Sequence, residues 1–192
     1  MIRSNGGWYD YNWNPVIGCR HDCNYCYLPK YMERFTGQKT LEPKFYPAAL
    51  EEPYQAKKGA KIFVCAFADL FGSWVSESWI LQVLNVIKNA PDKTFYFLTK
   101  NPQRYKEFQF TDNCYIGVTV EDKDRMFRAD EIRDLPYKKL LSIEPILGNF
   151  DGVDLSMFDL VVAGYMLNQK TTKQDRANMK SVVHRNKYQI IR

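Results

Sequence analysis

The chain has 192 residues, 45% of them apolar and 15% aromatic, which is enough for one large core and excludes a disordered chain. Its net charge of +5 is local: Lys170, Lys173, Arg176, Lys180, Arg185, Lys187 and Arg192 against Asp175 place +6 in residues 170–192, and the remainder is close to neutral. The opening MIRSNGGWYD lacks the apolar run of a secretory signal and no stretch approaches the roughly 18 to 20 apolar residues of a membrane span, so a cytoplasmic protein with no membrane partner is expected.

In chain order, YDYNWN (9–14) reads as a first strand, and GCRHDCNYCY (18–27) follows it as a loop. LPKYMERF (28–35) and PAALEEPYQAKKGA (47–60) read as helices, the second interrupted near Pro53. KIFVCAFAD (61–69), TFYFLTK (94–100), CYIGVTVE (114–121), KKLLSIEPI (138–146) and DLVVAGYM (159–166) are short, nearly all apolar, and rich in β-branched and aromatic residues. Such runs fit strands buried on both faces of a parallel sheet. Between them, SESWILQVLNVIKNA (76–90) puts Ile80, Leu84 and Ile87, flanked by Leu81 and Val83, on one helical stripe that stops before Pro91. NPQRYKEF (101–108) offers Asn101 as an N-cap and Pro102 as the first helical residue. DKDRMFRADEIRDL (122–135) spaces Met126, Ile132 and Leu135 helically.

Six strands alternating with helices or loops predict an α/β fold with right-handed crossovers. Six units are too few for a closed eight-unit barrel, so the expected architecture is a partial (β/α)6 barrel of parallel strands with outer helices; a flat, doubly wound sheet is the alternative. Residues 1–169 form the expected domain. Residues 170–192 form a short basic segment packed on it or extending from it. Their charges are spaced rather than clustered, which fits a solvated helix face better than a phosphate-contacting surface.

In parallel α/β folds, reactive groups gather at the C-terminal ends of strands. Those ends carry Asn12 and Asn14, then Asp69, Thr99 and Lys100, Thr119 and Glu121, Glu144, and Tyr165. Cys19, Cys23 and Cys26 sit just past the first strand on the same rim, spaced C-x3-C-x2-C. The chain has five cysteines, an odd number, and a reducing compartment disfavours disulfides. Three converging thiolates select an iron–sulfur cluster or zinc over hard cations.

CRHDCNYC resembles the signature of the radical S-adenosylmethionine superfamily, and the six-unit reading agrees with that superfamily's partial barrel. NWNPVIGC, ADLFGSWVSESW, FYFLTKNPQRY, YIGVTVED, LLSIEPILG and LVVAGY are similar, in order, to blocks of an uncharacterised phage-associated radical-SAM-like family, over roughly residues 8–165. Two departures mark this chain: its cysteine loop has the compact superfamily spacing where that family carries an insertion, and AGYMLNQKT replaces a glycine-rich acidic motif after the sixth strand.

The resemblance implies a [4Fe-4S] cluster held by Cys19, Cys23 and Cys26, whose fourth iron chelates S-adenosylmethionine. One electron, from an external donor such as flavodoxin or ferredoxin, would cleave the cofactor to methionine and a 5′-deoxyadenosyl radical that abstracts hydrogen from a substrate. It also implies Tyr25 near the adenine, Asp69 at the methionine amino group, Lys100 at its carboxylate or a substrate anion, and Glu121 or Glu144 at the ribose hydroxyls. The substrate expected from the basic tail and the phage association is a nucleic acid or nucleotide. Two alternatives stand beside this: a zinc-binding structural or nucleic-acid-binding module completed by His21 or a distant residue, and a catalytically inactive iron–sulfur protein of the same fold. His21 is otherwise expected as a solvated loop residue, Cys65 and Cys114 as small core hydrophobes, and Trp74 and Trp79 as packing anchors, with the cavity open to Trp74. His184 is too isolated to interpret.

Overall fold

The computed structural model describes residues 1–4, 7–36, 41–166, 170–183 and 188–190. Strand β1 (Ile2–Arg3) pairs antiparallel with β2 (Tyr11–Trp13). Strands β3 (Val16–Ile17) and β4 (Lys44–Phe45) form a separate antiparallel pair, with helix α1 (Leu28–Thr36) between them in sequence. The chain continues through β5 (Lys61–Val64), α2 (Glu77–Lys88), β6 (Thr94–Tyr96), β7 (Cys114–Thr119), α3 (Phe127–Asp130), β8 (Lys138–Ile143), β9 (Leu160–Ala163), α4 (Lys173–Val183) and β10 (Tyr188–Ile190).

The main sheet has the order β1-β2-β5-β6-β7-β8-β9-β10, and every pair after the first is parallel. All six expected strands therefore lie side by side in sequence order. Two strands are additional: β1 adds an antiparallel edge, and β10, inside the basic segment, adds a seventh parallel strand. The sheet does not close, since β1 and β10 are its two edges.

The outer layer departs further from expectation. Helix α2 forms as predicted, burying Ile80, Val83, Val86 and Ile87, but Leu81 points outward at 51% exposure. A residue one position past Ile80 turns 100° away from the core-facing stripe. The segments around Pro53 and after Pro102 are 3-10 helices, Pro47–Gln55 and Pro102–Glu107. Asn101 does not cap the latter, because its side-chain amide donates to the Phe71 carbonyl instead (2.9 Å). Residues 122–135 give a 3-10 turn and the single-turn α3.

One sheet face packs against these helices in the main core. The other carries Trp8, Tyr96, Leu140 and Val162, with Phe63, Leu98 and Tyr115 packed beside them. The register aligns Phe63 with Tyr96 and Tyr96 with Tyr115, whose rings stack at 4.9 Å. Gly117 lies in this row because a Cβ there would come within 2.5 Å of the Phe97 carbonyl oxygen. The buried Tyr105 hydroxyl secures the same point, donating to the Gly117 carbonyl (2.8 Å) and accepting from its N–H (3.2 Å).

Helix α4 buries Asn178, Met179, Ser181 and Val182, and Ser181 Oγ accepts the Phe150 N–H (2.9 Å). Lys173, Arg176 and Lys180 of this helix, and Lys170 before it, are exposed. His184, Arg185, Lys187 and Arg192 lie outside the described residues. No helix among the described residues is long and apolar enough to cross a membrane.

Candidate functional site

A cavity of about 480 Å³ opens at the C-terminal ends of the parallel strands. Its wall includes Cys19, Cys23, Cys26, Tyr25, Asp69, Lys100 and Glu144, so seven of the eight residues singled out from the sequence share one space. The eighth, Glu121, stands behind it and reaches it through Tyr25 and Lys100. The rim residues Asn12, Thr99, Thr119 and Tyr165 line it too, and Asn12 Oδ1 is buried without a hydrogen-bond partner among the described residues. Trp8, Tyr9, Phe63 and Leu98 supply an apolar wall.

The cysteine loop is pinned at several points. Gly18 has φ +109° and lies so close to the Glu42 backbone that a Cβ would fall 2.5 Å from its carbonyl oxygen. Only glycine meets both conditions. Its N–H donates to Phe67 O (2.9 Å), tying the loop to the turn after β5. Cys26 N donates to Cys23 O (2.9 Å), turning the chain so that Cys19, Cys23 and Cys26 stand as free, half-buried thiols at the cavity. Burial pushes the Cys19 thiol up to about 11, against backbone hydrogen bonds that lower it, and raises that of Cys26, where a backbone hydrogen bond and the Lys100 ammonium oppose the effect.

Asp69 is the first anchor. It is 6% exposed and accepts the Phe71 N–H (3.0 Å) and Thr99 hydroxyl (2.7 Å) on Oδ1, and the Lys100 N–H (2.9 Å) on Oδ2. His21 Nε2 also meets Oδ2, at 2.6 Å, and the ring packs edge-on against Trp74 at 4.8 Å. His21 is thus not a solvated loop residue, nor does its Nε2 face the cysteines as a fourth zinc ligand. A buried carboxylate draws it inward, while Trp74 packs on the core.

Glu121 is the second anchor, at 3% exposure. Lys100 Nζ (2.5 Å) and the Tyr25 hydroxyl donate to its Oε1, and Arg128 Nη1 (3.0 Å) donates to Oε2. Lys100 also lies 5.4 Å from the Tyr25 ring centroid. Burial alone would raise the Glu121 carboxyl, but the Lys100 ammonium and the hydrogen bonds from Lys100 and Tyr25 outweigh it and hold it at about 2. Burial, then the Glu121 carboxylate, push the Tyr25 hydroxyl up well beyond its usual range. Tyr27 adds a third tie, its hydroxyl donating to Ala66 O (2.7 Å).

Glu144 differs from both. It follows β8, lines the cavity half-buried, and has no hydrogen-bond or ion-pair partner among the described residues; burial raises its carboxyl. Cys65 also lines the cavity, buried at φ +60°, its thiol pushed up to about 12 by burial, while Cys114 is in the core. Sequence reasoning missed Arg128 and Ser142. Nothing distinguishes Arg128 from a surface arginine in a segment so rich in charge, whereas Ser142 was accessible from parity: it shares a β8 face with Leu140 and Glu144. No group of three His, Cys, Asp or Glu side chains among the described residues closes on a single ion position.

Solved structures of spore photoproduct lyase share the fold. The lyase complexed with dinucleoside spore photoproduct superposes with a TM-score of 0.63 at 14% identity, covering 94% of this chain and 63% of that one. A double mutant with bound AdoMet and dinucleoside spore photoproduct gives 0.62 at 13% identity over 94% and 63%. A tyrosine-to-phenylalanine mutant gives 0.60 at 12% identity over 96% and 64%. The chain therefore spans a little under two thirds of the length of these structures. No curated protein matches its sequence. One family model does, over residues 3–186, and on that match across nearly the whole chain the protein belongs to DUF5131, a family described as of unknown function.

Proposed function

We propose that the protein is a radical S-adenosylmethionine enzyme that acts on a nucleic acid or nucleotide, its open sheet forming the wall of a partial (β/α) barrel. The observation that carries this reading is the placement of three free thiols, Cys19, Cys23 and Cys26, on a braced loop facing a cavity at the strand ends. The donor set fits a [4Fe-4S] cluster: three soft ligands, with the remaining coordination left to a cofactor. A volume of about 480 Å³ fits a ligand of the size of S-adenosylmethionine. Cys19, Cys23 and Cys26 would hold the cluster, which when bound would supply one electron for reductive cleavage of S-adenosylmethionine; flavodoxin or ferredoxin is the class of donor.

The chain's own residues then bind and exclude water. Tyr25 presents its ring to the adenine. Lys100, on the cavity wall, offers positive potential to a carboxylate. Asp69 and Glu121 act mainly through what they hold: Asp69 orders His21, Thr99 and the Lys100 backbone, and Glu121 fixes Tyr25 and Lys100. Glu144 is the carboxylate left to meet the cofactor directly. The apolar wall of Trp8, Tyr9 and Phe63 suits a planar base, and the solved complexes with a dinucleoside photoproduct and the phage-associated resemblance support a nucleic-acid substrate.

Anaerobic reconstitution with iron and sulfide tests the reading. The protein should turn brown, lose the colour in Cys19→Ala, Cys23→Ala or Cys26→Ala, and release 5′-deoxyadenosine when reduced with S-adenosylmethionine. Stoichiometric zinc without iron refutes it; a cluster without the nucleoside product leaves an inactive iron–sulfur protein.

A further inference from the structure

Four carboxylate, ammonium or imidazole side chains line the cavity wall: His21, Asp69, Lys100 and Glu144. Three are already matched. His21 Nε2 and Asp69 Oδ2 share a hydrogen bond at 2.6 Å, and Lys100 is paired with Glu121 at 2.5 Å. Glu144 alone has no opposite charge and no hydrogen-bond donor among the described residues. The fold nevertheless makes room for it. Gly164, across the β8–β9 ladder, lies where a Cβ would stand 3.0 Å from the Glu144 carboxyl carbon and Oε1. The backbone on either side is fixed by Gly164 N to Ile143 O (3.0 Å) and Ile146 N to Gly164 O (2.9 Å). Taking a carboxylate out of water without a partner is unfavourable, and the deficit is removed when a ligand brings the complementary charge. A hydroxyl pair would satisfy its lone pairs but leave its charge uncompensated; a cation corrects both.

We infer that Glu144 is a cation-recognition residue: it selects a ligand bearing a positive centre against the wall of this cavity. This rests on the reading of the cavity as an S-adenosylmethionine site. That cofactor carries two such centres, the sulfonium and, wherever its amino group is not bound to iron, the α-ammonium, and the same carboxylate chemistry serves either.

Binding isotherms with three probes separate the sources: S-adenosylmethionine has both cations, S-adenosylhomocysteine only the ammonium, and 5′-methylthioadenosine neither, while all three keep the ribose. They are measured on reconstituted wild type, Glu144→Gln and Glu144→Asp, alongside melting temperatures of each protein without ligand. Glu144→Gln should weaken S-adenosylmethionine about ten- to hundred-fold, the range for a hydrogen bond to a charged group, with Glu144→Asp retaining more of the affinity. Its unliganded melting temperature should be unchanged or higher, because an uncompensated charge has been removed. Loss confined to S-adenosylmethionine supports the inference with the sulfonium as the group read; loss shared with S-adenosylhomocysteine but not 5′-methylthioadenosine supports it with the ammonium. Equal loss for all three assigns Glu144 to the ribose and overturns it, as does no loss at all. Wild type that holds a cluster yet binds none of the probes overturns both the inference and the reading beneath it. Normal S-adenosylmethionine binding that ignores the substitution overturns the inference alone.

Discussion

Replacing Glu121 with glutamine keeps the shape of the side chain and removes the charge on which Lys100, Arg128 and Tyr25 converge. Lys100 and Arg128 are then left at 15% and 11% side-chain exposure with no counter-ion at that point. Two routes give the size of the effect. The carboxyl is held at about 2 against its ordinary 4.5, and at about 1.4 kcal/mol per pK unit this amounts to about 3 kcal/mol of folding stability. Breaking a buried ion pair by removing one partner typically costs about 3 to 5 kcal/mol. Because the folded-state pKa lies below the unfolded one, the contribution is complete above about pH 4.5 and disappears as the pH falls toward 2. Urea unfolding followed by tryptophan fluorescence should show Glu121→Gln less stable by about 3 kcal/mol at pH 7. Between pH 5 and 3 the wild type should lose stability more steeply than the variant, so the two curves converge. A deficit below about 1 kcal/mol at pH 7, or parallel acid profiles, would refute the idea that Glu121 is stabilised as an anion by its cationic neighbours.

Other expectations follow from single contacts. His21→Ala should raise the rate at which the cluster-free protein's cysteines react with a disulfide reagent by several-fold, since the loop loses its tie to Asp69, and His21→Gln, which keeps a donor, should restore much of the protection; equal rates in all three proteins would contradict a bracing role. Gly117→Ala forces a Cβ to 2.5 Å from the Phe97 carbonyl and 2.9 Å from that of Leu140, so a loss of about 2 to 3 kcal/mol in urea unfolding is expected. Tyr105→Phe leaves the ring buried but removes its two hydrogen bonds to Gly117, whose carbonyl keeps only the Thr99 N–H, which should cost about 1 to 2 kcal/mol in the same assay.

The six parallel strands were legible because apolar runs such as KIFV and KKLLSI are short, β-rich and bounded by polar residues. The cavity rim was legible for the same reason: polarity returns where each strand leaves the sheet, so Asp69, Lys100 and Glu144 marked the strand ends. What those groups do there was not. Whether a carboxylate is free or saturated depends on neighbours far away in sequence, 48 residues for His21 and Asp69 and 96 for Tyr25 and Glu121. Strand β10 was hidden because its residues sit within a basic, weakly patterned segment, and edge strands carry little of the buried signature that identified the central ones. The 3-10 segments read as helices because Pro53 and Pro102 permit a tight turn while denying regular α-helical continuation.

The ties at Gly18, His21, Tyr25 and Tyr27 use no metal. In small zinc domains the ligand loops are ordered by the ion, and metal affinity is folding energy. Here the cysteine loop is tied to the rest of the chain by hydrogen bonds from Gly18, His21, Tyr25 and Tyr27, contacts that would offset part of the entropy of ordering it before any metal binds. On the proposed reading, a protein that lost its cluster to a chelator or to oxygen would keep these ties, and recovery would require refilling rather than refolding.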